Sequence, residues 1–116
     1  MKIKVILIGF LVCFTSCYND KEDLLYGAVE CDTEAVSFSE EIMPIISNNC
    51  STVGCHVQGG SGVGILENYD QVKAIVDDGS FRDRVLVQMD MPPSGSLSAC
   101  ELQHLEEWIA DGALND

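Results

Sequence analysis

Two thiols and an imidazole stand close together in NNCSTVGCHVQGG, residues 48–60: Cys50, Cys55 and, directly after it, His56. Three chemistries use such a set. A structural zinc ion takes four ligands in a tetrahedron, and cysteines two to four residues apart are the usual knuckle. The spacing suits zinc, but consecutive side chains diverge, so Cys55 and His56 do not both turn to one ion. A Cys50–Cys55 disulfide is geometrically allowed and leaves His56 without a role. The third chemistry is covalent haem attachment, in which two thiols on one turn form thioethers and the next residue, a histidine, binds iron. The usual linker has two residues. Here it is STVG, so this third reading requires two additional residues to bulge outward, with Gly54 giving freedom just before Cys55.

The same chemistry asks for a second axial ligand, and methionine is the common choice where the potential is high. The stretch QMDMPPSG offers Met89 and Met91 some 35 residues downstream of His56. Met91 is preferred over Met89, because the two prolines after it stiffen the backbone that would hold its thioether. DMPPSG also reads as a polar turn, where a methionine filling a core gap is out of place. Met43, beside Pro44, reads as packing. His104 would offer bis-histidine ligation, but it borders the charged face of the last helix and reads as exposed.

The first residues read as an export signal. Two lysines precede an uncharged apolar run from Val5 to Phe14, which is too short to span a membrane and is followed by small residues. FTSC, residues 14–17, resembles a lipobox with Phe14 in place of the usual leucine, so residues 1–16 form a lipoprotein signal peptide and Cys17 carries the lipid. An ordinary secretory signal would leave Cys17 as a spare thiol, a liability outside the cytoplasm. Residues 17–30 are polar and acidic and read as the lipidated N-terminus and tether. Within it KED, residues 21–23, just after the lipidated cysteine, resembles the short signal that sends some bacterial lipoproteins to the cell surface. The expected location is therefore the cell envelope, outside the cytoplasm, with the membrane and the face left open between the outer membrane, the cell surface and other sites. Loss of Lys2 and Lys4 leaves four basic residues against 19 acidic ones, a formal charge of −15. Such a surface repels nucleic acid and anionic lipid and attracts cationic partners, more weakly as salt rises. Four cysteines remain, Cys31, Cys50, Cys55 and Cys100, an even number in an oxidising compartment.

Short helices must position these groups. Over residues 31–116 a core is marginal without a staple. SFSEEIMPIISNN places Phe38, Ile42, Ile45 and Ile46 on one helical face, with Ser37 and Glu40 in capping-box register. Pro44 is tolerated there only near the first turn. GGSGVG at 59–64 is an open glycine-rich loop without the spacing of a phosphate cradle. A second helix starts at an Asn68 cap, carries Tyr69, Val72 and Val76, and stops at Gly79. SFRDRVLVQ reads as a short helix capped by Ser80, with strand the alternative over Val85–Val87. The last helix has a capping box of Ser98 and Glu101 and a stripe of Leu102, Leu105, Ile109 and Ala113, widened by Trp108 and ended by Gly112. The predicted fold class is all-α.

In this order the motifs resemble the class I-like monohaem cytochrome c domains of bacterial envelope proteins. A helix with IMPII, then NC…CH, a glycine-rich loop, a YDQV helix, an MPP turn and LSACELQHLEEWIADGA run over residues 37–114, about two thirds of the chain. The resemblance implies a small fold of short helices around one covalent haem c. It implies that Cys50 and Cys55 form the thioethers, His56 is the proximal iron ligand and Met91 the distal one. It also implies packing between the first and last helices, and with it a disulfide between Cys31 and Cys100. Closing a loop of that length contributes about 4 kcal/mol in the chain-entropy model. The function implied is single-electron transfer between redox proteins with basic docking surfaces, without catalysis, by a carrier held at the membrane through its lipid. Two other classes are kept open: a colourless disulfide-bonded lipoprotein acting as a binding module, and a haem peroxidase or ligand sensor in which Met91 dissociates.

Overall fold

Ser37 opens the first helical segment of the computed structural model, which describes residues 31–116. The signal expected over residues 1–16 and the tether expected over 17–30, Cys17 included, lie outside the described residues. Ser37 is extended (φ −98°, ψ 151°) and its Oγ accepts from the Glu40 amide at 3.1 Å. The returning carboxylate, however, is Glu41 and not Glu40: Glu41 Oε2 accepts from the Ser37 amide at 2.8 Å. The cause is the first turn, Phe38–Ile42, which is π-helical; the Ile42 amide reaches back five residues to Ser37 at 3.2 Å. The wider turn brings the next residue round to the cap. The chain continues as α1, Met43–Asn49, with Pro44 in its first turn. Proline has no amide to donate and crowds the carbonyl one turn back, so a wide turn directly before it relieves both problems.

Helix α2, Tyr69–Asp77, is capped by Asn68, whose side chain accepts from the Gln71 amide at 3.1 Å. Gly79 is left-handed (φ +83°), a conformation that glycine adopts without strain, and leads into α3, Ser80–Arg82, and a second π-helical turn, Asp83–Val87. Ser80 does not cap this segment. It is the first helical residue, and its amide donates to Asp78 Oδ1 at 2.8 Å, because the turn at Gly79 folds Asp78 back over it. Val85 points inward and Val87 outward on helical turns, so the strand alternative does not occur.

Helix α4, Ala99–Ala110, carries the full capping box: Glu101 N–H donates to Ser98 Oγ at 3.2 Å, and Ser98 N–H to Glu101 Oε2 at 2.7 Å. Leu105 and Trp108 are its most buried residues, so Trp108 sits at the centre of the stripe. Ala113, expected as the last member of that stripe, lies beyond the helix. Gly112 (φ +97°) turns the chain, and the Ala113 amide returns to the Trp108 carbonyl at 2.8 Å.

These faces meet around Trp108, Ile42, Ile46, Leu105 and Val72, all fully enclosed. Burying a side chain of this size contributes roughly 1.5–3 kcal/mol. Phe38 lies edge-on to Tyr69, with ring centroids 5.0 Å apart, and 5.6 Å from Trp108, which locks the first helical segment to α2 and α4. The polar ends of the two larger aromatics are bonded: Trp108 Nε1 donates to the Leu114 carbonyl at 2.9 Å and Tyr69 OH to the Ala113 carbonyl at 2.8 Å. Cys31 and Cys100 form a disulfide with Cα atoms 5.5 Å apart, tying the segment before the first helix to the first turn of α4. Asp116 binds the start of the same first helix, accepting from Phe38 N–H at 2.9 Å and Ser39 N–H at 3.1 Å. All secondary structure among the described residues is helical; the fold class is all-α.

Candidate functional site

Cys50 ends α1, its amide donating to the Ile46 carbonyl at 2.7 Å. From there the chain makes a tight loop. The Cys55 amide bonds the Thr52 carbonyl at 2.9 Å, and the His56 amide returns to the Cys50 carbonyl at 3.1 Å. The STVG linker therefore bulges: Val53 at its tip is 100% exposed, and Gly54 (φ +85°) turns the chain back into Cys55. Cys50 and Cys55 are both half-buried and both free thiols, while the other two described cysteines are bridged. Burial against the core, and then the neighbouring Cys55, push the Cys50 thiol up to about 11.

His56 is half-buried and held at three points. Its own amide is bonded as above, its carbonyl accepts from Leu66 N–H at 2.9 Å, and its Nδ1 lies 2.9 Å from the Gly64 carbonyl. A carbonyl oxygen only accepts, so Nδ1 carries a proton, and in the neutral ring Nε2 keeps the lone pair. No hydrogen bond occupies Nε2 among the described residues. The glycine-rich stretch makes this possible. Gly62 N–H donates to the Cys55 carbonyl at 3.2 Å, and Ser61 bonds the Gly54 carbonyl through its amide and through its hydroxyl, each at 3.0 Å. Ser51 Oγ donates to the Leu66 carbonyl at 2.5 Å, closing the far side. The stretch 59–64, expected as an open loop, is folded back onto Gly54–His56.

Of the two methionines near the MPP turn, Met91 is half-buried against the core and Met89 is 64% exposed with a positive φ of 53°. The turn is less polar than its sequence suggests, since Pro92 is buried beside Met91. The amides of Asp90 and Met91 both donate to the Arg84 carbonyl, at 3.1 and 3.3 Å, and Arg84 Nε donates to Asp90 Oδ1 at 2.8 Å. Asn49, directly before Cys50, joins this region to the thiol loop. Its side chain accepts from Ser96 Oγ at 2.8 Å and donates to the Ile45 carbonyl at 2.9 Å and to Glu101 Oε1 at 3.4 Å. Neither Asn49 nor Gly62 announces itself in the sequence, because each acts on residues far along the chain or across a loop. Met43 packs against the core. His104 is half-buried, and its Nε2 contacts the Asp32 carbonyl at 2.9 Å, beside the disulfide.

Among the described residues no group of three or more His, Cys, Asp or Glu side chains converges as a metal site would. A cleft of about 300 Å³ lies between the disulfide and α4, lined by Asp32, Glu41 and His104, away from both thiol-bearing residues of the loop. No described helix is long and apolar enough to cross a membrane. No family model, no curated protein and no solved structure matches this chain. What the loop presents chemically is an imidazole nitrogen with a free lone pair, one residue after a thiol and on the same turn as another.

Proposed function

We propose that this chain is a lipid-anchored monohaem c-type cytochrome that carries single electrons between redox proteins of the cell envelope. The observation that carries the reading is His56: its Nδ1–H is committed to the Gly64 carbonyl, so Nε2 is presented as a ligand, with Cys50 and Cys55 on the same turn as free thiols. The donor set suits the group, with two sulfurs for thioethers, an imidazole nitrogen and the Met91 thioether. The exposed apolar side chains support it further. Val63 and Ile65 follow His56, while Val87 precedes Met91, and all three are exposed although large and apolar. A flat apolar group held between these segments would cover them, which is the physical reason to expose them otherwise at a cost.

When bound, haem supplies a reversible one-electron change at iron. The chain's residues do the rest. Cys50 and Cys55 would hold the group covalently through thioethers, with the outward turn at Val53 taking up the additional linker residues. His56 is held in one tautomer by Gly64, and that hydrogen bond raises the basicity of the ligating nitrogen. Arg84 fixes the backbone of Met91, the assigned distal ligand, with Met89 left at the surface. Electron transfer in a cytochrome c-like fold needs no further catalytic group, and none is assigned.

Expression of the full chain with its signal, in a host that matures c-type cytochromes, tests this. The expected result is a Soret band that stays with the polypeptide after denaturation. A colourless product, or colour lost entirely on unfolding, overturns the proposal and favours a cofactor-free binding module. Carbon monoxide binding to the native reduced protein would instead favour a ligand sensor with a labile Met91.

A further inference from the structure

Gly62 stands against the ring of His56. A Cβ built at this position would lie 2.8 Å from Nδ1 and 3.0 Å from both Cγ and Cε1. Those three distances locate it. An atom in the ring plane along the N–H direction would be markedly farther from Cγ and Cε1 than from Nδ1, so the near-equality puts it over the ring face. The in-plane direction is already taken by the Gly64 carbonyl at 2.9 Å. The ring is thus bounded on one face by the bare Cα of Gly62 and at its Nδ1 edge by Gly64.

Neither side can yield cheaply. The Gly62 amide is bonded to the Cys55 carbonyl, the Ser61 amide and hydroxyl to the Gly54 carbonyl, and His56 is bonded through both its amide and its carbonyl. A Cβ at Gly60 would run into the Cys55 carbonyl, so the loop approaches the thiol turn backbone to backbone. Gly62 itself has no positive φ, unlike Gly59 and Gly64. An alanine there brings no backbone strain of that kind; its effect is aimed at the imidazole.

We propose that Gly62 is a positioning residue for His56: its missing side chain sets the plane of the imidazole and keeps Nδ1–H on the Gly64 carbonyl, so that Nε2 is the nitrogen offered to a metal. The assignment of that metal as haem iron rests on the function proposed above; the placement of the ring does not. Gly62→Ala pushes the ring off the Gly64 carbonyl, which releases the tautomer and weakens the hydrogen bond that enriches the ligand.

Three measurements on the full chain decide it. In protein prepared without haem, ¹⁵N shifts of His56 should show the Nδ1–H tautomer, and Gly62→Ala should lose it. The opposite tautomer in the parent, or no change in the variant, overturns the proposal. In haem-loaded protein, Gly62→Ala should keep the haem attached, shift the midpoint potential upward as the ligand becomes less electron-rich, and alter the low-spin spectrum. An unchanged potential and spectrum overturn it. A double-mutant cycle covers loss of folding. Whatever stability Gly62→Ala costs should be recovered largely when His56→Ala is also present, whereas an equal cost in both backgrounds overturns the proposal. If no haem attaches to the parent, the functional proposal fails while the tautomer and the cycle still decide the role of Gly62.

Discussion

Cys50 combines a reactive residue type with an unreactive setting. Desolvation against the core, with the nearby Cys55 adding to it, raises its pKa from 9.0 to about 11, which leaves about a hundredfold less thiolate near pH 8. Iodoacetamide should therefore alkylate Cys50 in the haem-free chain about a hundredfold more slowly than an exposed cysteine. Peptide mass spectrometry over time measures this, and equal rates would contradict the burial. In the haem-loaded protein Met91→Ala should lower the potential or admit an external ligand with haem still attached. Met89→Ala, at an exposed position, should change neither. At this scale the sequence displayed the motif residues by type and spacing. It was silent on Gly62, because a glycine's value as empty space depends on what lies against it.

The helices show how far local signals reach. The capping box of Ser98 and Glu101 was legible and is present, since both partners lie within one turn. Its neighbour failed by one residue: a π-helical turn ahead of Pro44 hands the carboxylate's role from Glu40 to Glu41. Ser80 failed for a similar reason, the left-handed Gly79 turning Asp78 into the acceptor. Ser98→Ala should cost about 1 kcal/mol in chemical denaturation, the usual worth of a cap. Glu101 also predicts a pH response. The Ser98 amide bond holds its carboxyl below the usual value, with Ser98 Oγ, Asn49 and His104 adding to the effect. A depressed folded-state pKa means stability that is present above the unfolded-state pKa and is lost as pH falls through the folded one. Stability should therefore fall on the acid side, and Glu101→Gln should flatten that limb. An unchanged acid limb in the variant would remove Glu101 from the account.

Across the whole molecule, the Cys31–Cys100 bridge closes a separation of 69 residues. Its reduction should lower the unfolding free energy by up to about 4 kcal/mol, read as a drop in the urea midpoint with and without reductant. The charge balance has a spatial counterpart. All three basic residues of the described segment are paired, Lys73 with Asp77, Arg82 with Glu106 and Arg84 with Asp90. These exposed pairs contribute little stability, but they leave no unpaired Lys or Arg among the described residues to offset the acidic surface. Binding of a cationic probe such as polylysine should weaken steeply with added salt, and salt-independent binding would sink the steering argument. By itself the sequence determined the all-α class, most helix starts and stops, and the cluster of Cys50, Cys55 and His56, because caps, periodicity and motif spacing act within a turn or two. The Cys31–Cys100 bridge, which the resemblance implied, is present; the tertiary structure alone decided which methionine packs against the core, how Asn49 joins the thiol loop to the MPP turn, and which imidazole nitrogen is left free. Those outcomes depend on how distant segments cross, and such a crossing has no local signature in the chain.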